Sequence, residues 1–169
     1  DSVASVYFNE SIDIERELGR KSQLAVRLGN ISTAYLKMGR YEEAIASAEE
    51  GLLIDREIGR PNKIAIRLNQ LGEVYQATNR IEEAKNCEME AYQYFEKAGS
   101  KYGMSIVSHS LGDLNRHDDK IDSAIYYYEK SLDLAKNIDN RLLVQEISMS
   151  LFKVYKDVNP RLAIDYFEQ

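Results

Sequence analysis

A unit of 40 residues repeats along the chain. LNQLGEVYQATNRIEEA (68–84) aligns with LGNISTAYLKMGRYEEA (28–44) and SHSLGDLNRHDDKIDSA (108–124), which brings Ile31, Leu71 and Leu111 into register, as well as Ala44, Ala84 and Ala124. A fourth copy starts near Arg141. A fixed period of this size marks a solenoid, in which each unit buries its apolar face only by stacking on its neighbours. Such an architecture presents a long surface rather than an enclosed pocket, and it predicts binding.

The spacing within each unit predicts two helices. In the first, apolar residues recur at i, i+4, i+7 and i+11: Leu24, Leu28, Ile31 and Tyr35, then Ile64, Leu68, Leu71 and Tyr75. That is one helical stripe. Gly39, Asn79 and Asp119 follow at equivalent positions, and these residue types tolerate the left-handed conformation that ends a helix. The second helix carries the small residues Ala44, Ala84 and Ala124 where two helices approach closely, surrounded by Ile45, Leu52, Ile81, Ile121, Ile125 and Leu132. Gly19, Gly59, Gly99 and Asp139 mark the second break, and Pro61 and Pro160 suit first helical positions. The expected fold is therefore all-α, a right-handed α-α superhelix of about four hairpins and nine helical segments. Its predicted organisation is a single solenoid over 1–169: 1–20 the second helix of a truncated repeat, 21–60, 61–100 and 101–140 full repeats, and 141–169 a partial fourth. Because Gln169 falls inside a helical pattern, the sequence reads as a piece of a longer chain. Both ends of such a piece are expected to expose apolar surface and to favour self-association end to end.

Composition removes several function classes. The net charge is −6, from 22 Lys plus Arg against 28 Asp plus Glu, which disfavours a phosphate-backbone binder that needs a basic stripe. No apolar run approaches the roughly 18 residues of a membrane helix, and no signal peptide opens the sequence, so neither nucleic acid nor membrane is an expected partner. With Cys87 as the one cysteine, no intrachain disulfide can form. A reducing cytosol is the favoured compartment on this reading, with the periplasm left open.

These residues resemble the tetratricopeptide repeat, whose pattern places a large residue, Leu, Gly and Tyr on the first helix, and Ala, an aromatic and Ala on the second. Leu68, Leu71, Gly72, Tyr75, Ala84 and Ala91 match it best. Repeat one has Leu28, Ile31, Tyr35 and Ala44 with Ser32 in place of Gly, repeat three has Leu111, Gly112, Ala124 and Tyr128 with Asn115 in place of Tyr, and repeat four has Leu151, Tyr155 and Phe167. The family's terminal Pro is absent throughout, which agrees with a period longer than the family's 34 residues. The links ELGRK, EIGRP and NIDNR are similar to those of two subfamilies: sensory segments of bacterial histidine kinases and LuxR-type regulators, and animal adaptors that bind peptides in polarity complexes.

If the resemblance holds, side chains of the first helices that avoid the apolar stripe line a peptide-binding groove: Asn30, Thr33 and Lys37; Asn69, Gln70, Glu73 and Gln76; His109, Asp113, Arg116 and His117; then Met149, Lys153 and Lys156. Amides and mixed charges can hold a peptide backbone and select its charges, and the trend from Glu73 to Lys153 and Lys156 favours one ligand direction. The plainer reading is that these are solvated helix faces.

Other conspicuous residues point away from chemistry. His109, Asp113 and His117 share one helix face, yet at i, i+4 and i+8 they span about 12 Å and do not converge on one ion. Cys87 lacks a Cys-x-x-Cys partner, and Tyr126, Tyr127 and Tyr128 point in three directions, with Tyr128 in the repeat's aromatic core position. Glu42-Glu43 and Glu82-Glu83 recur at the start of a second helix, where the helix dipole favours negative charge. No catalytic, cofactor-binding or metal set emerges, and the expected partner is a protein or peptide segment. Three readings stay open: the sensory or interaction segment of a bacterial signalling protein, a stand-alone adaptor bridging two proteins, and a dimerisation arm of an enzyme whose catalytic domain lies elsewhere.

Overall fold

The computed structural model describes residues 3–167, so the continuation expected at Gln169 lies outside the described residues. Among them are nine helices: α1 Val3–Glu17, α2 Lys21–Lys37, α3 Tyr41–Ile58, α4 Pro61–Ala77, α5 Ile81–Lys97, α6 Lys101–His117, α7 Ile121–Asn137, α8 Arg141–Val158 and α9 Pro160–Phe167. No strand occurs among the described residues. The seven breaks expected from sequence are the seven residues of positive φ, Gly19, Gly39, Gly59, Asn79, Gly99, Asp119 and Asp139, with φ from 52° to 76°. Each lets the next amide reach back five residues, as in Arg40 N–H to Tyr35 O at 2.9 Å, Arg80 to Tyr75 at 2.8 Å and Lys120 to Asn115 at 2.9 Å. This closure satisfies carbonyls that a helix end would otherwise leave open. Pro61 and Pro160 each open a helix, where the missing N–H breaks no bond.

The chain forms two compact units, Asp1–Cys87 and Glu88–Gln169. In the first, α1 packs on α2, α2 on α3, α3 on α4, and α2 touches α4 directly. Ala25, Ala44, Ala48 and Ala65 are fully buried where helices approach, and Leu24, Leu28, Ile31, Ile64, Leu68 and Leu71 fill the layer around them. Burying one such leucine contributes roughly 1.5–3 kcal/mol. A surface motif also repeats. Arg40 stacks 4.6 Å above the Tyr35 ring and donates to Glu43 at 2.9 Å; Arg80 stacks 4.3 Å above Tyr75 and donates to Glu83 at 3.0 Å. Arg40 holds the Glu43 carboxyl below its usual range, and the Glu83 backbone amide together with Arg80 does the same for Glu83.

The joint between α2, α3 and α4 is polar. Asp55 is fully buried and Arg67 is 4% exposed. The Arg67 Nε lies 3.3 Å from Asp55 Oδ2, an ion pair outside hydrogen-bond geometry. Arg67 Nη2 donates to Ala25 O at 2.7 Å and Nη1 to Gln70 Oε1 at 2.8 Å. Arg60 donates to Asp55 Oδ1 at 2.5 Å and to Ser22 Oγ at 2.7 Å, tying the α3–α4 turn to α2. Burial pushes the Arg67 guanidinium below its usual value, and Asp55 opposes the shift. Gly29 makes the arrangement feasible, because a Cβ there would overlap the Arg67 guanidinium. The same pairing occurs 40 residues earlier, where Arg27 Nε donates to the buried Glu15 at 2.8 Å.

In the second unit α6 packs on α7, α7 on α8 and α8 on α9 around Ala124, Tyr128, Leu132, Ala135, Ile147, Leu151 and Val154. The positions equivalent to Asp55 and Arg67 are here the buried pairs Phe95 and Val107, then Ala135 and Ile147. Gly103 lies against the Phe95 ring as Gly29 lies against Arg67. Ser105 Oγ donates to Ser131 O at 2.9 Å and Ser131 Oγ to Ser105 O at 2.7 Å, which stitches α6 to α7. Tyr155 and Tyr166 stack at 5.5 Å and both donate to Glu129.

The polar joint yields a stability prediction. Asp55→Ala leaves the Arg67 charge buried without its counterion and is expected to destabilise by about 3–5 kcal/mol. Gly29→Ala is expected to destabilise in the wild-type background and to do so less in Arg67→Ala, where the obstructed side chain is gone. Urea unfolding of the two single variants and the double variant checks this coupling, and additive effects would contradict it.

Candidate functional site

The residues expected to line a groove lie on α2, α4, α6 and α8, and each unit presents its own set. In the first unit, Asn30 and Lys37 on α2 and Glu73 and Gln76 on α4 are exposed, while Thr33, Asn69 and Gln70 are half-buried. Gln70 Nε2 donates to Gly29 O and to Thr33 Oγ1, both at 3.1 Å, and Thr33 Oγ1 donates to Gly29 O at 3.2 Å. With Arg67 on the Gln70 carbonyl oxygen, Thr33 and Gln70 form a seam holding α4 to α2. The residues most open to a ligand on this face are Asn30, Lys37, Glu73 and Gln76. Although Glu73 reaches solvent, surrounding protein raises its carboxyl above the usual range by burial.

The second unit brings its set together more closely. His109, Asp113, Arg116 and Lys153 line one cavity of about 380 Å³ with Glu146, Met149 and Ser150. His117 and Lys156 are exposed and do not line it. The His109 Nε2 and Ser150 Oγ are 2.9 Å apart, which joins α6 to α8 at the positions where Gly29 and Gln70 join α2 to α4. Beneath this seam stands Tyr128, whose buried ring contacts His109 at 5.4 Å between centroids. Gly112 gives the ring its place, since a Cβ there would come within 2.5 Å of it. The Tyr128 hydroxyl donates to Asp113 Oδ1 at 2.6 Å and accepts from Arg116 Nε at 3.2 Å, while Arg116 Nη2 lies 3.5 Å from the same carboxylate. A core residue on α7 thereby orients two charged side chains at the surface of α6. Burial, reinforced by Asp113, raises the Tyr128 phenol well above its ordinary value, with Arg116 opposing.

Sequence reasoning missed Glu146 and Ser150. Ser150 has a usable signal, since it stands 80 residues after Gln70 in the repeat register. Glu146 has a misleading one, because its equivalents Ile66 and Ile106 are apolar. His109, Asp113 and His117 do not converge: the first two engage Ser150, Tyr128 and Arg116, and the third is exposed. Among the described residues no group of three or more His, Cys, Asp or Glu could hold a metal ion, and no helix is long and apolar enough to cross a membrane.

The family model described as tetratricopeptide repeat matches residues 22–97 and 63–137. No curated protein matches the chain in sequence. Among solved structures, BtubC (BKLC) from P. vanneervenii is similar at a TM-score of 0.80 and 22% identity, over 98% of this chain and 66% of that one. Aspartyl phosphate phosphatase F from Bacillus subtilis is similar at 0.90 and 13% identity, over 96% of this chain and 43% of that one. RapI is similar at 0.72 and 16% identity, over 96% and 72%. The chain thus spans less than two thirds of the length of the first two, and at these identities the likeness shows the fold alone.

Two pH effects follow from the site. A phenol held above its ordinary value of about 10 stabilises the fold fully below that pH and loses this contribution as pH rises through the folded value. Tyr128, and Tyr155 pushed up to about 12 by burial and Glu129, both act in this direction. The stability difference between wild type and Tyr128→Phe is therefore expected to be constant from neutral pH to about 10 and to shrink above it, as measured by urea unfolding at stepped pH. Glu73 carries the opposite consequence at neutral pH, because its ionised form is the penalised one. Glu73→Gln is expected to raise the melting temperature at pH 7 and to lose that advantage as pH falls through the raised folded value, with none left below about 4.

Proposed function

Because the chain belongs to the tetratricopeptide repeat family, we propose that it is a non-catalytic scaffold that binds a protein or peptide segment along the outer faces of α2 and α4 and of α6 and α8, as the sensory or interaction segment of a bacterial signalling protein. Helical repeats of this kind commonly bind along extended surfaces. The observation that carries the reading is the α6/α8 cavity, which gathers His109, Asp113, Arg116 and Lys153 at one open site with their orientations set by Tyr128 and Ser150. Its volume suits a few side chains rather than a large enclosed substrate. On the other unit, the exposed amides of Asn30 and Gln76 can meet a peptide backbone, and Lys37 and Glu73 can meet its charges. Support for the signalling setting comes from the links ELGRK, EIGRP and NIDNR, which resemble those of sensory segments in bacterial regulators.

The test is a quantitative affinity capture from the source organism's lysate, comparing wild type with a variant carrying Asn30→Ala, Glu73→Ala and Arg116→Ala, after circular dichroism has confirmed that both fold. A partner held by the wild type and lost by the variant is the expected result. Equal capture by both would place binding on other faces and favour an adaptor or dimerisation arm.

A further inference from the structure

The α6/α8 cavity has an internal order of charge. Asp113 is already engaged, by the Tyr128 hydroxyl and by Arg116. Glu146 and Lys153 are different: both are exposed, both line the cavity, and neither has an ion-pair or hydrogen-bond partner among the described residues. They stand seven residues apart on α8, on one face and about 10 Å apart along the axis. Met149 stands between them, 39% exposed and also lining the cavity. The turns before and after α7 return the chain to the direction of α6, and the His109–Ser150 contact sets the register of the two helices. Arg116 therefore belongs with Lys153 at the C-terminal end of the cavity, and Glu146 stands alone at the other.

Resting on the peptide-binding reading above, we infer that this cavity selects peptides by charge order. The peptide carries a basic residue opposite Glu146 and an acidic residue opposite Lys153, about three positions apart at the roughly 3.3 Å advance of an extended chain, with an apolar residue between them against Met149. An anion alone meets repulsion from Glu146, and a cation alone meets it from Lys153, since the Arg116 charge is offset by Asp113. The charges are solvent-accessible, so the selection weakens with salt on the scale of the Debye length, about 8 Å at physiological ionic strength.

The probe is a library of random dodecapeptides displayed on phage and selected on the chain, followed by fluorescence anisotropy with labelled synthetic copies of the enriched sequences. Enriched peptides are expected to carry Lys or Arg about three positions from Asp or Glu. Glu146→Lys and Lys153→Glu are each expected to weaken binding by up to about fivefold, the scale of one exposed ion pair. The double exchange is expected to recover affinity for a peptide with its two charges exchanged. Since both side chains are exposed, the variants should keep the wild-type melting curve, which is checked first. Unchanged affinity in both single variants, or equal binding of peptides with scrambled charge order, overturns the inference. If the Asn30→Ala, Glu73→Ala, Arg116→Ala variant nevertheless loses those peptides, peptide binding stands and charge selection alone falls. If no peptide enriches, or the triple variant binds them as the wild type does, both fall.

Discussion

The ion pair of Arg67 with Asp55 governs how the first unit is put together. A guanidinium held almost wholly away from water needs partners for its donors, or desolvation outweighs what the charge gains. The chain supplies acceptors from the Ala25 carbonyl on α2 and Gln70 on α4, and the countercharge from Asp55 on α3. Much else follows from that placement. Gly29 and Gly51 leave the room the side chain occupies, Arg60 comes in from the α3–α4 turn to share the carboxylate, and Gln70 passes the restraint on to Gly29 and Thr33. The pair thus decides which surface residues of α2 and α4 are tied down and which face solvent.

The second unit reaches a similar helix arrangement by other means. Its joint is apolar, so the polar organisation moves outward to the α6/α8 surface, where Tyr128 links core and site. A ring that packs against Gly112 and a hydroxyl that bonds Asp113 and Arg116 make one residue serve both the interior and the cavity wall. Charged groups fixed in this way lose less conformational freedom when a ligand arrives, which is the advantage of preorganisation.

Much of the architecture was legible in the sequence because its signals are restricted by residue type. Few residues accept positive φ, so Gly, Asn and Asp at 40-residue spacing located all seven breaks, and small residues at close approaches located the helix contacts. The site was less legible because helical spacing alone does not tell a polar side chain that faces solvent from one that reaches a neighbouring helix. Thr33 and Gln70 are of the second kind, Asn30 and Gln76 of the first, and all four looked alike in sequence. Arg67 and Asp55 escaped notice since charged residues are expected at the surface. Their signal was the 12-residue offset that recurs in Glu15 and Arg27.

That recurrence bears on how such an array can change over evolutionary time. A joint is made jointly by the end of one hairpin and the start of the next: Asp55 with Arg67 in one place, Ala135 with Ile147 in another. Duplicating, deleting or shuffling a hairpin regenerates a sound joint only if its two borders are of matching kind. Placing the Arg67 hairpin after the one that ends in Ala135 would bury a guanidinium in an apolar cluster without a counterion. The hairpins are alike in backbone yet not interchangeable, and their order along the chain is protected by the same buried charges that hold the first of them together.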